Sequence, residues 1–121
     1  MSIKLLLEDI NNGYDGVINK IYFYNDLSSV DVSIATQCKS KNSWVEVCFS
    51  ITGLLEFRVS QKEEYCSYIL DNGICNLIID NKNYIAFSAP YDEVESVREI
   101  LESDVYFVGK NISYKIITDY R

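Results

Sequence analysis

The spacing of apolar residues indicates a helix at the start of the chain. Ile3, Leu6, Leu7 and Ile10 recur at intervals of three and four, which is the stripe of an amphipathic helix. The Asn-Asn-Gly at 11–13 is typical of the end of such a helix. The sequence therefore predicts a short N-terminal helix.

From Val17 onward, apolar residues alternate with polar ones or form short runs, as they do in strands. The clearest case is WVEVCFSI at 44–51: its odd-numbered positions are all apolar, and Trp44 belongs to the more polar face. We interpret Gly53 and the Gly-Lys-Asn at 109–111 as breaks between strands. The predicted strand segments are 17–24, 30–36, 44–51, 54–60, 65–70, 74–79, 84–87, 105–109 and 112–118.

The connections between these segments are short, and short connections favour antiparallel pairing. Composition favours strands as well, since the chain has 15 Ile, 10 Val and 10 Tyr but only 3 Ala. We predict an α+β fold in a single domain over residues 1–121. It should be mainly an antiparallel β-sheet or small barrel, with an N-terminal helix and a late acidic amphipathic helix.

Charge is concentrated in that late helix. The segment YDEVESVREILESD at 91–104 has six carboxylates and one arginine, so it carries five of the seven excess negative charges of the chain. A helix over 91–103 places an apolar face toward the sheet. Its opposite face would carry Asp92, Glu95, Glu99 and Glu102.

The acidic stripe has two interpretations. It is a solvated surface, or it is a docking surface for a basic partner, which complementary charge attracts and selects. Tyrosine and tryptophan supply large contact areas in interfaces. Tyr14, Tyr65 and Tyr120 near predicted element ends are further tyrosines to test. Our candidate partner-binding residues are Asp92, Glu95, Glu99, Glu102, Tyr91 and Trp44.

Composition argues against several classes of function. The chain has no histidine, which is the usual general base and the commonest transition-metal ligand. The 11 basic residues are scattered, which disfavours nucleic-acid binding. The four cysteines form no Cys-x-x-Cys pair and are expected to be reduced thiols. The first residues fit neither a signal peptide nor a membrane span. We expect a cytoplasmic protein with no membrane association, no catalytic residues, no metal and no cofactor.

Three segments resemble the small cytosolic immunity proteins of bacterial polymorphic-toxin and contact-dependent-inhibition systems. They are YDGVI at 14–18, WVEVCFSITGLLEFR at 44–58 and ESDVYFVGKNISY at 102–114. The resemblance implies a β-rich protein that binds one cognate toxin tightly and performs no chemistry itself. Many such toxins are basic nucleases, so an acidic surface would substitute for nucleic-acid charge.

Other functions remain open at this stage. A small-ligand-binding or regulatory β domain would have an apolar pocket at the mouth of a barrel. A structural subunit would pair through an edge strand and form a homo-oligomer. An enzyme is the class that the sequence favours least.

Overall fold

A computed structural model of the chain describes residues 3–24, 26–61, 68–87 and 95–117. Helix α1 spans Ile3–Asp9. Leu6, Leu7 and Ile10 of the predicted stripe are buried in the core. A 3-10 turn at Asn11–Gly13 follows the helix. The predicted N-terminal helix is therefore confirmed.

Six strands form one antiparallel sheet in the order β1-β2-β3-β6-β5-β4. The sheet is open, with β1 and β4 at its two ends. Of the two predicted forms, the antiparallel sheet is the one present. The strands are β1 Val17–Phe23, β2 Ser29–Cys38, β3 Ser43–Val59, β4 Cys75–Ile79, β5 Lys82–Ala86 and β6 Val105–Ile117.

Strands β3 and β6 are longer than the sequence predicted. Gly53 lies inside β3 with a φ of 63°, and residues 109–111 lie inside β6. The register between the two strands shifts between Leu54 and Glu56. A bulge of this kind bends a strand pair without ending it, because the ladder resumes on both sides. The prediction of a break at each glycine was wrong.

One face of the sheet packs against α1 and holds the main core. Its centre contains the rings of Phe49, Phe87 and Phe107, which are fully buried. The ring centroids of Phe49 and Phe87 are 5.4 Å apart, and those of Phe87 and Phe107 are 5.9 Å apart, both in edge-to-face geometry. Aromatic pairs favour this arrangement because the positive ring edge meets the negative ring face.

A second helix, α2, spans Val97–Leu101 and packs on the opposite face of the sheet. Its buried residue Ile100 contacts a small cluster that includes Ala86 and Tyr106. Ser96 is the N-cap and has extended backbone angles, φ −138° and ψ 156°. A late helix is therefore present, but the predicted span of 91–103 is wrong, because the helix begins only after Ser96. Positions 91–94 lie outside the described residues.

Candidate functional site

The sheet face opposite the main core is covered unevenly. Helix α2 packs over the β5 and β6 side of it. On the β1 to β3 side, large aromatic side chains remain exposed: Tyr22 at 48%, Tyr24 at 43% and Trp44 at 42%. Aromatic residues are costly to leave in water, so a group of them on one face marks a candidate interaction surface.

The strand register aligns the polar residues of this surface in rows across the sheet. We call the surface the open face. Its first row is Tyr22, Asp31, Ser50 and Ser113. Its second row is Lys20, Ser33, Cys48 and Lys115. The open face also includes Tyr24, which follows β1, and Glu46 and Trp44 toward the β2–β3 turn.

Hydrogen bonds order the centre of the open face. The carboxylate of Asp31 accepts a hydrogen bond from the Tyr24 hydroxyl at 2.7 Å and one from Ser50 Oγ at 2.8 Å. The bond to Asp31 and the charge of that carboxylate raise the pKa of Tyr24 above its ordinary value. The ring of Tyr22 meets Tyr24 edge-on at 5.2 Å, and Lys20 Nζ lies 5.7 Å from the Tyr22 centroid. These contacts hold both tyrosines in place.

Two shallow clefts lie on this surface. A cleft of about 300 Å³ is lined by Lys20, Tyr22, Tyr24, Asp31, Ser33 and Cys48. A second cleft, of about 360 Å³, lies at the β2–β3 turn and is lined by Trp44 with Lys39 and Asn42 among others. Trp44 pairs across the strands with Gln37 and is exposed. The alternating pattern allows Trp44 either to pack under a helix or to be exposed, and in the structure it is exposed to solvent.

The predicted acidic stripe is not assembled on one helical face. Glu95 precedes the N-cap of α2 and is exposed. The Glu99 carboxylate accepts hydrogen bonds at 3.1 Å from the Glu95 backbone N–H and from Ser96 Oγ, so it serves the cap. Glu102 lies 3.9 Å from Arg98. Tyr91 and Asp92, like Tyr65 and Tyr120, lie outside the described residues.

The sequence did contain the signal for this cap. Ser96 Oγ accepts a hydrogen bond from the backbone N–H of Glu99 at 3.3 Å, and Glu99 reaches back to the start of the helix. Ser-x-x-Glu before an apolar run is the signature of such a capping box. Because α2 packs on the same side of the sheet as the open face, Glu95 and Glu102 still belong to that side of the molecule.

A larger groove lies between α1 and the β4–β5 hairpin. It measures about 770 Å³, and its walls include the apolar Ile3, Leu7, Ile78 and Ile112. Four asparagines, Asn12, Asn76, Asn83 and Asn111, also line it. The amide nitrogens of two of them donate to backbone carbonyls, Asn76 to Tyr84 at 3.0 Å and Asn83 to Lys110 at 3.2 Å. The sequence did not reveal this groove, because three distant segments form it.

A cluster of Asp9, Cys38 and Ser40 has the residue types of reactive chemistry but a structural role. The Asp9 carboxylate accepts hydrogen bonds from Ser40 N at 2.9 Å, Ser40 Oγ at 2.6 Å and Cys38 Sγ at 3.2 Å. Cys38 is only 2% exposed. The cluster joins the end of α1 to the β2–β3 turn.

Within the described residues, no group of three or more metal-ligating side chains is present. No helix in that part of the chain is long and apolar enough to cross a membrane. Comparisons of the chain with protein-family models, with curated proteins and with solved structures give no match.

Proposed function

We propose that this chain is a cytoplasmic immunity protein that binds and neutralises a cognate toxin domain, which is basic and of the nuclease type. The observation that carries the proposal is the open face, where Tyr22 and Tyr24 are exposed beside Asp31 and Trp44 is exposed at the β2–β3 end of the same face. Tyr and Trp are the residues that most often dominate binding energy in protein interfaces.

The order within the open face supports tight binding. Fixing a flexible side chain in a complex costs roughly 0.5–1.5 kcal/mol of binding free energy. Tyr24 is already held by its hydrogen bond to Asp31, and the ring of Tyr22 packs edge-on against Tyr24. A partner that docks here therefore meets side chains that are largely fixed before contact.

Charge supports a basic partner. The chain has a net charge of −7, and residues 91–104 carry most of the excess. Glu95 and Glu102 are exposed at α2, on the same side of the sheet as the open face. Long-range attraction between these carboxylates and a basic partner raises the association rate, and the same carboxylates repel acidic partners. We assign Asp92 to the same acidic region from the sequence alone, whereas Glu99 acts mainly in the helix cap.

Co-expression with the polypeptide encoded beside this chain tests the proposal. We expect a stable complex whose dissociation constant rises with salt, because part of the attraction is electrostatic. Tyr22→Ala and Trp44→Ala should each weaken binding, whereas Leu55→Ala, another exposed apolar residue, should not. Absence of a complex, or equal affinity for all variants, would reject the proposed surface.

A small-ligand-binding domain is the second candidate, and the groove beside α1 favours it. A volume of about 770 Å³ with mixed apolar and amide walls is in the range of small-molecule sites. Native mass spectrometry of the purified chain would show a co-purifying molecule. Its loss in Ile78→Trp, which fills the groove, would support this function, and a ligand-free spectrum would remove that support.

A further inference from the structure

The two ends of the sheet differ in how they are protected. The register of β1 shifts between Ile18 and Lys20, so this edge carries a bulge and a charged residue. The backbone beside β1 is also paired: Ile18 N–H donates to the Tyr68 carbonyl at 2.8 Å, and Leu70 N–H to the Gly16 carbonyl at 2.9 Å. Bulges, lysines and covering segments are the usual means of preventing edge-to-edge association.

Within the described residues, strand β4 has no bulge, no charged residue and no segment paired to its outer side. It pairs with β5 in unbroken register from Cys75 opposite Ala86 to Ile79 opposite Lys82. Residues 76–79, Asn-Leu-Ile-Ile, contain no charge and no proline. Ile78 is 69% exposed and Ile79 is 40% exposed. Among the described strands, only β5 pairs with β4, so its outer side presents a regular, apolar edge.

We propose that β4 pairs antiparallel with β4 of a second copy of this chain and joins two six-stranded sheets into one. An extended strand satisfies the backbone donors and acceptors of such an edge, which a helix or a small molecule would leave unpaired. Two-fold symmetry about Leu77 would place Ile78 opposite Asn76 of the partner subunit. An isologous contact of this kind closes after two copies.

The local charge of this strand permits a second copy. Two chains of net charge −7 repel each other, but residues 76–79 are neutral and place no like charges opposite one another. The acidic helix α2 lies near this end of the sheet, since Leu101 of α2 and Leu77 of β4 contact the same buried cluster. Salt should therefore strengthen the self-association by screening α2, opposite to the effect expected for a basic toxin.

Sedimentation velocity of the purified chain, from micromolar to millimolar concentration, tests the pairing. We expect a concentration-dependent dimer that Ile78→Lys weakens by at least about tenfold, because a lysine protects a sheet edge. Ile79→Lys should act in the same direction. The matched control is Leu55→Lys, at an apolar position of β3 that is 51% exposed, and it should dimerise like the parent chain. Circular dichroism would verify that each variant is folded.

Hydrogen exchange identifies the surface used. Only alternate amides of a strand point to a given neighbour, so those of residues 76–79 that do not already donate to β5 should become protected as the concentration rises. The proposal is overturned if the chain stays monomeric at millimolar concentration, or if the dimer has unprotected β4 amides. It is also overturned by a dimer that is insensitive to both β4 variants or that dissociates when salt is added. The proposal is also overturned if the β4 amides become protected only when the polypeptide encoded beside this chain is added. That result would show that the edge pairs with a strand of a different protein.

Discussion

At the level of single residues, Asp9 fixes the end of α1 to the β2–β3 turn. Its hydrogen bonds from Ser40, and then from Cys38, lower the pKa of its carboxyl below the ordinary value of an aspartate. Because the folded-state pKa lies below the unfolded one, Asp9 stabilises the fold fully above the unfolded pKa. That contribution is lost as the pH falls through the lower, folded-state pKa.

We therefore predict that Asp9→Asn lowers the free energy of unfolding at neutral pH and leaves it less sensitive to acid. Urea titrations at neutral pH and at a series of acidic pH values measure both effects. Glu8→Gln, on the exposed side of the same helix, is the control. An unchanged acid dependence in Asp9→Asn would contradict the role assigned to these hydrogen bonds.

Gly109 is required for space rather than for an unusual backbone angle. A Cβ at this position would lie 2.4 Å from Ile51 Cγ2, which is too close for any real contact. Gly109→Ala should therefore destabilise the chain by about 1–3 kcal/mol, the usual cost of overpacking. Urea unfolding measures it, with the exposed Lys110→Ala as the control. Equal stability of the two variants would show that β3 and β6 separate easily here.

Among the secondary-structure elements, α2 depends most on its cap, because five residues form little more than one turn. Ser96→Ala removes the side chain that accepts from Glu99 N–H and should cost about 0.5–2 kcal/mol. Arg98→Ala should change stability by less than about 1 kcal/mol, since the pair with Glu102 is solvent-exposed. Thermal unfolding of both variants tests this, and a larger effect at Arg98 would contradict it.

The elements also show what sequence periodicity can and cannot predict. The strict alternation at 45–51 and the apolar stripe of α1 were sufficient to predict a strand and a helix, because one buried face imposes each pattern. The glycines misled, because a bulge lets Gly53 stay within β3 and close approach to Ile51 explains Gly109. Periodicity also predicted a late helix that is too long, because the spacing of apolar residues does not reveal that the backbone of Ser96 is extended and that Ser96 caps the helix.

The candidate site was predictable only in part, because local periodicity does not determine how the strands pair. Alternation placed Trp44 on the more polar side of its strand, and that is where it lies. The alignment of Tyr22 with Asp31 depends on the register between β1 and β2, which no local pattern contains. The hydrogen bond between Tyr24 and Asp31 likewise depends on how β1 and β2 pair, although the two residues are only seven positions apart in the sequence.

At the level of the whole molecule, the open face and the acidic region should contribute to binding in different kinetic steps. Charges at the rim of an interface act mainly on association, whereas buried anchors act mainly on dissociation. We predict that Glu95→Lys with Glu102→Lys slows association with the neighbouring-encoded polypeptide, most strongly at low salt. Trp44→Ala should speed dissociation by roughly tenfold or more at any salt concentration, as loss of an aromatic anchor does.

Surface plasmon resonance at low and high salt separates the two effects. Glu8→Lys, a charge reversal on the exposed side of α1, is the matched control for Glu95→Lys or Glu102→Lys made singly, and it should slow association less than either of them. Similar slowing by the single reversals would mean that only net charge matters and that the acidic region does not dock beside the partner. Unchanged dissociation of Trp44→Ala would move the contact away from the β2–β3 end of the open face.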